Sequence, residues 1–175
     1  MLAGILVPGG NYTVQGPLLD LAGHALRDRR APAEAVVWSV PYGLIRSGQA
    51  ELFVRAHVAS AMERSPSDRP AIIGKSLGSF AAVLAAEAQL PAIWLTPLLT
   101  DSAVAEAITA GSAPTLLIGG TADKYWVPEI AAATGKPVMA IPDADHALRV
   151  PGRLSNYTDV LGLVATAIEE FLDAL

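Results

Sequence analysis

Gly74-Lys75-Ser76-Leu77-Gly78 sets a serine between two glycines, each two residues away. The apolar run Ala71-Ile72-Ile73 precedes it, and a small-residue helical stretch, Ser79 to Ala88, follows. A strand that turns sharply into a helix pushes the intervening side chain outward, and the flanking glycines leave room for the turn. This is the arrangement of a nucleophile elbow. A helix beginning at the serine also turns its free N–H groups toward any anion formed there. A serine hydroxyl attacks poorly until a base takes its proton. Histidine titrates near neutrality and can return that proton to a leaving group, while a carboxylate on its other nitrogen fixes the tautomer. The chain has 3 histidines. His24 and His57 lie on helical stretches, off the apolar stripes, and read as surface residues. His146, in Asp143-Ala144-Asp145-His146, follows the last apolar run and is the candidate base. Gly74-Lys75-Ser76 also matches the end of a phosphate-binding P-loop. That motif needs a glycine five residues earlier, where Arg69 stands, and a loop where Pro70 to Ile73 read as strand.

The elements that must carry these residues alternate along the chain. Strands are expected at Ala3 to Pro8, Glu34 to Val40, Ala71 to Lys75, Ala92 to Leu95, Thr115 to Ile118 and Pro137 to Ile141. Their near-continuous apolar character marks parallel strands covered on both faces. Helices are expected between them. Pro17 to Arg29 carries Leu18, Leu21, Ala22 and Ala25 on one stripe. Gly48 to Arg64 carries Leu52, Ala56 and Ala59, with Ser47 as N-cap. Asp101 to Ala110 is capped by Asp101, and Val127 to Ala133 closes on Gly135 and Pro137. Tyr157 to Leu175 repeats Tyr157, Val160, Leu161, Val164, Ile168 and Phe171 at three- and four-residue steps. Strand–helix alternation implies an open parallel sheet with right-handed crossovers and ligands beyond the carboxyl ends of its strands.

With these features the chain resembles a small member of the α/β-hydrolase superfamily, a lid-less, carboxylesterase-like serine hydrolase. Gly74, Ser76 and Gly78 match the elbow, and that family orders its triad serine, acid, histidine. Here Ser76 is followed by Gly119-Gly120-Thr121-Ala122-Asp123 after the next-to-last strand, then by His146 after the last. The resemblance implies a minimal α/β-hydrolase fold. Its expected form is a single domain over residues 1–175, a three-layer sandwich with a mostly parallel sheet of about six strands and helices on both faces. It implies Ser76 as nucleophile, His146 as base and then acid, and Asp123 as the orienting carboxylate. Asp101 is the alternative acid, because some relatives carry theirs after the preceding strand. Asp143 and Asp145 are too near His146 in sequence and read as turn residues. The expected oxyanion donors are the N–H of Leu77 and, from the Pro8-Gly9-Gly10-Asn11-Tyr12 loop, that of Gly10 or, as second choice, Asn11. That loop resembles the family's His-Gly loop with Pro8 in place of histidine.

Tyr12, Tyr42 and Trp126, like Trp94, lie at or near strand ends and are candidates to line a substrate pocket. Lys75 takes the elbow's variable position and reads as a residue merely tolerated there. Residues 96–114 hold only a loop and one short helix, where many relatives insert a lid. The first strand already bears the oxyanion loop, so the family's first two strands are expected to be absent.

The expected chemistry is hydrolysis of carboxylic esters or thioesters of small acyl substrates through an acyl-enzyme. The alternatives are acyl transfer and non-catalytic small-molecule binding on the same scaffold. No metal and no cofactor is implied. The net charge of −5, with no basic run, argues against nucleic acid as a partner. Cysteine is absent, so a thiol nucleophile, a zinc-thiolate site and disulfides are ruled out. Met1 to Val7 lacks a basic leader, and no apolar run spans a bilayer. No membrane partner is therefore expected, and the cytoplasm is the default compartment. The oligomeric state is left open.

Overall fold

The computed structural model describes residues 1–175. Its strands are β1 (Gly4–Val7), β2 (Ala33–Ala35), β3 (Ala71–Lys75), β4 (Ala92–Leu95), β5 (Thr115–Gly120) and β6 (Val138–Ile141). Its helices are α1 (Pro17–Asp28), α2 (Ala50–Arg64), α3 (Ala82–Ala88), α4 (Ser102–Ala110), α5 (Pro128–Ala133) and α6 (Leu154–Asp173), with a 3-10 helix over Ser76–Ala81. The strands form one parallel sheet in the order β2-β1-β3-β4-β5-β6. The order reverses between β1 and β3, so the crevice beyond their carboxyl ends is the switch point. Val7 pairs with Gly74 there, which puts Pro8 to Tyr12 beside Ser76.

Successive strand residues point to opposite faces, and the core divides accordingly. Ile5, Val7, Ile72, Trp94 and Leu117 pack on one face under α2, α3, α4 and α5. Leu6, Ile73, Ile93, Leu95 and Ile118 pack on the other under α1 and α6. Both faces of the four central strands, β1, β3, β4 and β5, are covered, which is why these read as unbroken apolar runs.

β2 and α2 depart from expectation in ways that bear on the core. β2 ends at Ala35, short of the expected Glu34 to Val40. It is an edge strand whose only neighbour is β1, and β1 ends at Val7. Val36 N–H still donates to the Leu6 carbonyl at 2.9 Å, and beyond it no partner strand remains. On α2 the buried residues are Ala50, Val54, Val58 and Ala61, not the Leu52–Ala56–Ala59 stripe. Leu52 is 59 % exposed. The helix is rich in alanine and has apolar residues all round, so its β-branched valines, not a sequence stripe, select the packed face. Its N-cap is Gln49; the Ser47 hydroxyl instead donates to the Leu44 carbonyl at 2.7 Å and accepts from the Gln49 N–H at 3.3 Å. Asp101 does cap α4, its carboxylate accepting from Ala103 N–H at 3.0 Å.

Candidate active site

The turn after β3 is built from backbone conformation outward. Lys75 is extended, Ser76 takes φ +53°, and the 3-10 helix begins at once. A non-glycine residue in that left-handed region is strained, and such strain gathers at functional sites. Gly74 and Gly78 make the turn possible by close approach. A Cβ on Gly74 would lie 2.8 Å from the Gly78 carbonyl oxygen, and one on Gly78 would lie 2.6 Å from that of Val7. Buried Ser79 braces the far side. Its hydroxyl donates to the Ser76 carbonyl at 2.6 Å and accepts from Leu98 N–H at 3.1 Å.

The turn after β5 presents Asp123. One of its carboxylate oxygens accepts from Tyr125 N–H at 3.0 Å. The other lies 2.6 Å from His146 Nδ1, and the carboxylate is fully buried. Charge-assisted bonds of this length are strong in a buried setting. His146 Nε2 lies 2.7 Å from Ser76 Oγ. With Nδ1–H donating to the carboxylate, Nε2 carries the lone pair that accepts the serine hydroxyl proton. The His146 loop is shaped by its neighbours. The Asp145 carboxylate accepts from Ala147 and Arg149 N–H at 2.8 and 3.0 Å. Asp143 adopts φ +57° and takes a bond from its N–H to Thr121 Oγ1 at 2.8 Å. Both acids thus serve the turn. Asp101 makes no hydrogen bond to His146.

An open cleft of about 460 Å³ runs past Ser76 and His146, lined also by Gly10, Asn11, Tyr12 and Leu77. The Gly10 and Asn11 N–H groups donate to no other protein group. Trp38 holds the loop that carries them, its indole N–H donating to the Gly9 carbonyl at 3.0 Å. Trp38 is itself packed on Phe53 and His57. His57 is therefore half-buried, not a free surface residue. Its ring sits 4.4 Å from that of Phe53, with Nδ1 2.8 Å from the Phe53 carbonyl. His24 is exposed beside Arg27.

The aromatic candidates separate. Tyr12 lines the cleft, and its hydroxyl accepts from Leu18 N–H at 2.8 Å. Burial pushes its phenol up to about 12. Tyr42 is fully exposed and lines an adjoining groove, which Gly10, Ile45 and Leu77 share. Trp126 does not line the cleft. It is 5 % exposed and packs on Gly119, where any side chain would overlap its ring. The turn's tight pairing of Trp126 N–H with the Asp123 carbonyl points Trp126 inward and leaves Tyr125 outward. Tyr125 packs edge-on against the His146 imidazole at 5.0 Å. The sequence points to Trp126 at the cleft, and the structure places Tyr125 there instead; the phase of the turn, invisible in the sequence, decides this.

Lys75 is not merely tolerated. It is 2 % exposed, and its ammonium donates to Thr96 Oγ1 at 3.0 Å and to the His146 carbonyl at 2.9 Å. Burial pulls it down to about 8, against the attraction of Asp123 and Asp145. No group of three or more histidine, cysteine or acidic side chains is placed to hold a metal ion. No helix is long and apolar enough to cross a membrane.

No protein-family model matches the chain, and no curated protein matches it. Solved structures do. Est1E from Butyrivibrio proteoclasticus, seen with ferulic acid bound, superposes with a TM-score of 0.70 at 15 % identity, covering 98 % of this chain and 87 % of its own. An α/β serine hydrolase homologue from Coxiella burnetii gives 0.66 at 17 % identity, covering 95 % and 84 %. A lid-less α/β serine hydrolase from Xanthomonas campestris gives 0.65 at 17 % identity, covering 97 % and 82 %. The chain has the α/β-hydrolase fold.

Proposed function

We propose that, on this α/β-hydrolase fold, the chain is a serine hydrolase that cleaves carboxylic esters or thioesters of small acyl substrates. One observation carries the reading: the continuous line from Ser76 Oγ to His146 Nε2 at 2.7 Å and from His146 Nδ1 to Asp123 at 2.6 Å. Ser76 Oγ attacks the acyl carbon as His146 Nε2 takes its proton. The buried Asp123 carboxylate holds the tautomer and stabilises the imidazolium. The oxyanion is met by the N–H of Leu77 and of Gly10 or Asn11. His146 then protonates the departing alcohol or thiol, leaving an acyl-serine. Water, deprotonated by His146, releases the acid and restores Ser76.

The fold's likeness to a lid-less serine hydrolase supports a single domain without a cap, and so does the short α4 between β4 and β5. The test is a fluorophosphonate probe with a panel of p-nitrophenyl esters and acyl thioesters of varied chain length. Labelling at Ser76, lost in Ser76→Ala, and turnover on part of the panel are expected. A folded protein that neither labels nor turns over any of them is a binding protein on this scaffold.

A further inference from the structure

The residue before the candidate nucleophile is a buried lysine whose donors are all engaged. Its ammonium bonds Thr96 Oγ1 at 3.0 Å and the His146 carbonyl at 2.9 Å, and stands 4.8 Å from the Tyr12 ring centroid. The third direction is thus taken by an aromatic face, which attracts a cation. Burying an ammonium with no carboxylate bonded to it costs several kcal/mol, and an apolar side chain of similar length would avoid that cost.

The acceptor just after β4 is equally unusual. Thr96 is fully buried and takes φ +43°, where a β-branched residue is rarely found. Its N–H donates to the Ile118 carbonyl at 2.7 Å. That strained backbone sets the hydroxyl opposite Lys75. His146 is then held at two points, its imidazole by Asp123 and its main chain by Lys75.

We propose that Lys75 is a positioning residue, whose ammonium clamps the main chain of His146 to the end of β4 and so sets the imidazole within reach of Ser76. The proposal rests on the reading of Ser76 and His146 as nucleophile and base. It makes the clamp pH-dependent. The groups facing the ammonium are Asp123 from the turn after β5, Asp145 and His146 from the loop after β6, and Tyr12 from the loop after β1. The two carboxylates favour the charged form, and Tyr12, pushed up to about 12, stays neutral. Burial outweighs the carboxylates and brings Lys75 to about 8. Below that pH the clamp is charge-assisted; above it a neutral amine makes weaker bonds.

The experiment compares kcat and KM from roughly pH 6 to 10 for wild type, Lys75→Met, Lys75→Arg and Thr96→Val. The far-downfield proton shared by His146 and Asp123 is followed by NMR in the same proteins. Wild type is expected to lose kcat on the alkaline side with a midpoint near 8. Lys75→Met loses about tenfold or more in kcat with little change in KM, and its alkaline limb disappears. Lys75→Arg recovers part of kcat and carries the limb beyond the measured range. Thr96→Val removes an acceptor from the charged form, so its limb moves to lower pH. The shared proton is sharp in wild type and exchange-broadened in Lys75→Met.

A folded Lys75→Met with wild-type kcat, or with the same alkaline limb, overturns the clamp. If Lys75→Met does not fold, an unmoved limb in Lys75→Arg and Thr96→Val overturns it. Should the wild type prove inactive, the hydrolase reading fails separately. The proton signal then decides the clamp, and an equally sharp signal in Lys75→Met rejects it.

Discussion

Ser76 sits in a conformation that only its surroundings sustain, and those surroundings are mostly backbone. The carbonyl of Val7 would lie 2.6 Å from a methyl group on Gly78, and neither partner is a flexible side-chain end. Gly78→Ala is therefore expected to lower stability by about 3 kcal/mol, read by urea unfolding, and to lower activity with it. Ser76→Ala leaves the fold intact by circular dichroism and removes ester hydrolysis by several orders of magnitude. Retention of more than a tenth of turnover would reject Ser76 as nucleophile. Asp123→Asn keeps the geometry but favours the wrong imidazole tautomer, so kcat should fall about 10⁴-fold with KM little changed. The line from Ser76 through His146 to Asp123 was legible because strand-end loops, chain order and residue type all point to it. Lys75, Ser79 and Tyr125 were not. Each acts through a contact made across the fold, with Thr96, Leu98 or His146, and no local pattern encodes such a partner.

Helix α2 separates pattern from packing. Its buried positions Val54 and Val58 are 0 % exposed, whereas Leu52, the largest apolar residue of the expected stripe, is 59 % exposed. Val58→Ala should cost about 2 kcal/mol in urea unfolding, because it empties a closed site. Leu52→Ala should stay within about 0.5 kcal/mol. The reverse ranking would mean that α2 is rotated relative to the sheet. The strands and α1, α4 and α6 were readable because each carries one clear signal: an unbroken apolar run, a proline or aspartate start, or a long three–four repeat. The edge strand β2 is shorter than its sequence suggests because Val37 and Val40 have β-rich character but no neighbour to pair with, Val36 being the last residue to bond β1. Whether a partner strand continues is a property of β1's length, not of β2's residues.

For the molecule as a whole, the buried ammonium couples folding to pH. Lysine titrates near 10.5 in the unfolded chain and Lys75 near 8 in the folded one. Between these values the unfolded state holds the extra proton, so this group makes stability rise with pH, by up to about 1.4 kcal/mol per unit. From pH 10 the sign reverses through Tyr12, whose phenol keeps its proton in the folded state up to about 12. Urea unfolding should show wild type gaining stability relative to Lys75→Met from pH 8 to 10; an unchanging offset between the two proteins would refute the buried charge. Across that range stability from Lys75 increases while kcat declines, so lost activity there is not unfolding. The three tryptophans divide by environment in a way that makes the cleft visible to light. Trp94 and Trp126 are sealed in the core and should emit at short wavelength regardless of what the cleft holds. Trp38 is half-buried, and its indole N–H is bonded to the loop that carries Gly10 and Asn11. Phosphonylation of Ser76 should therefore shift only the red edge of the emission spectrum, and Trp38→Phe should make the protein optically silent to the same event.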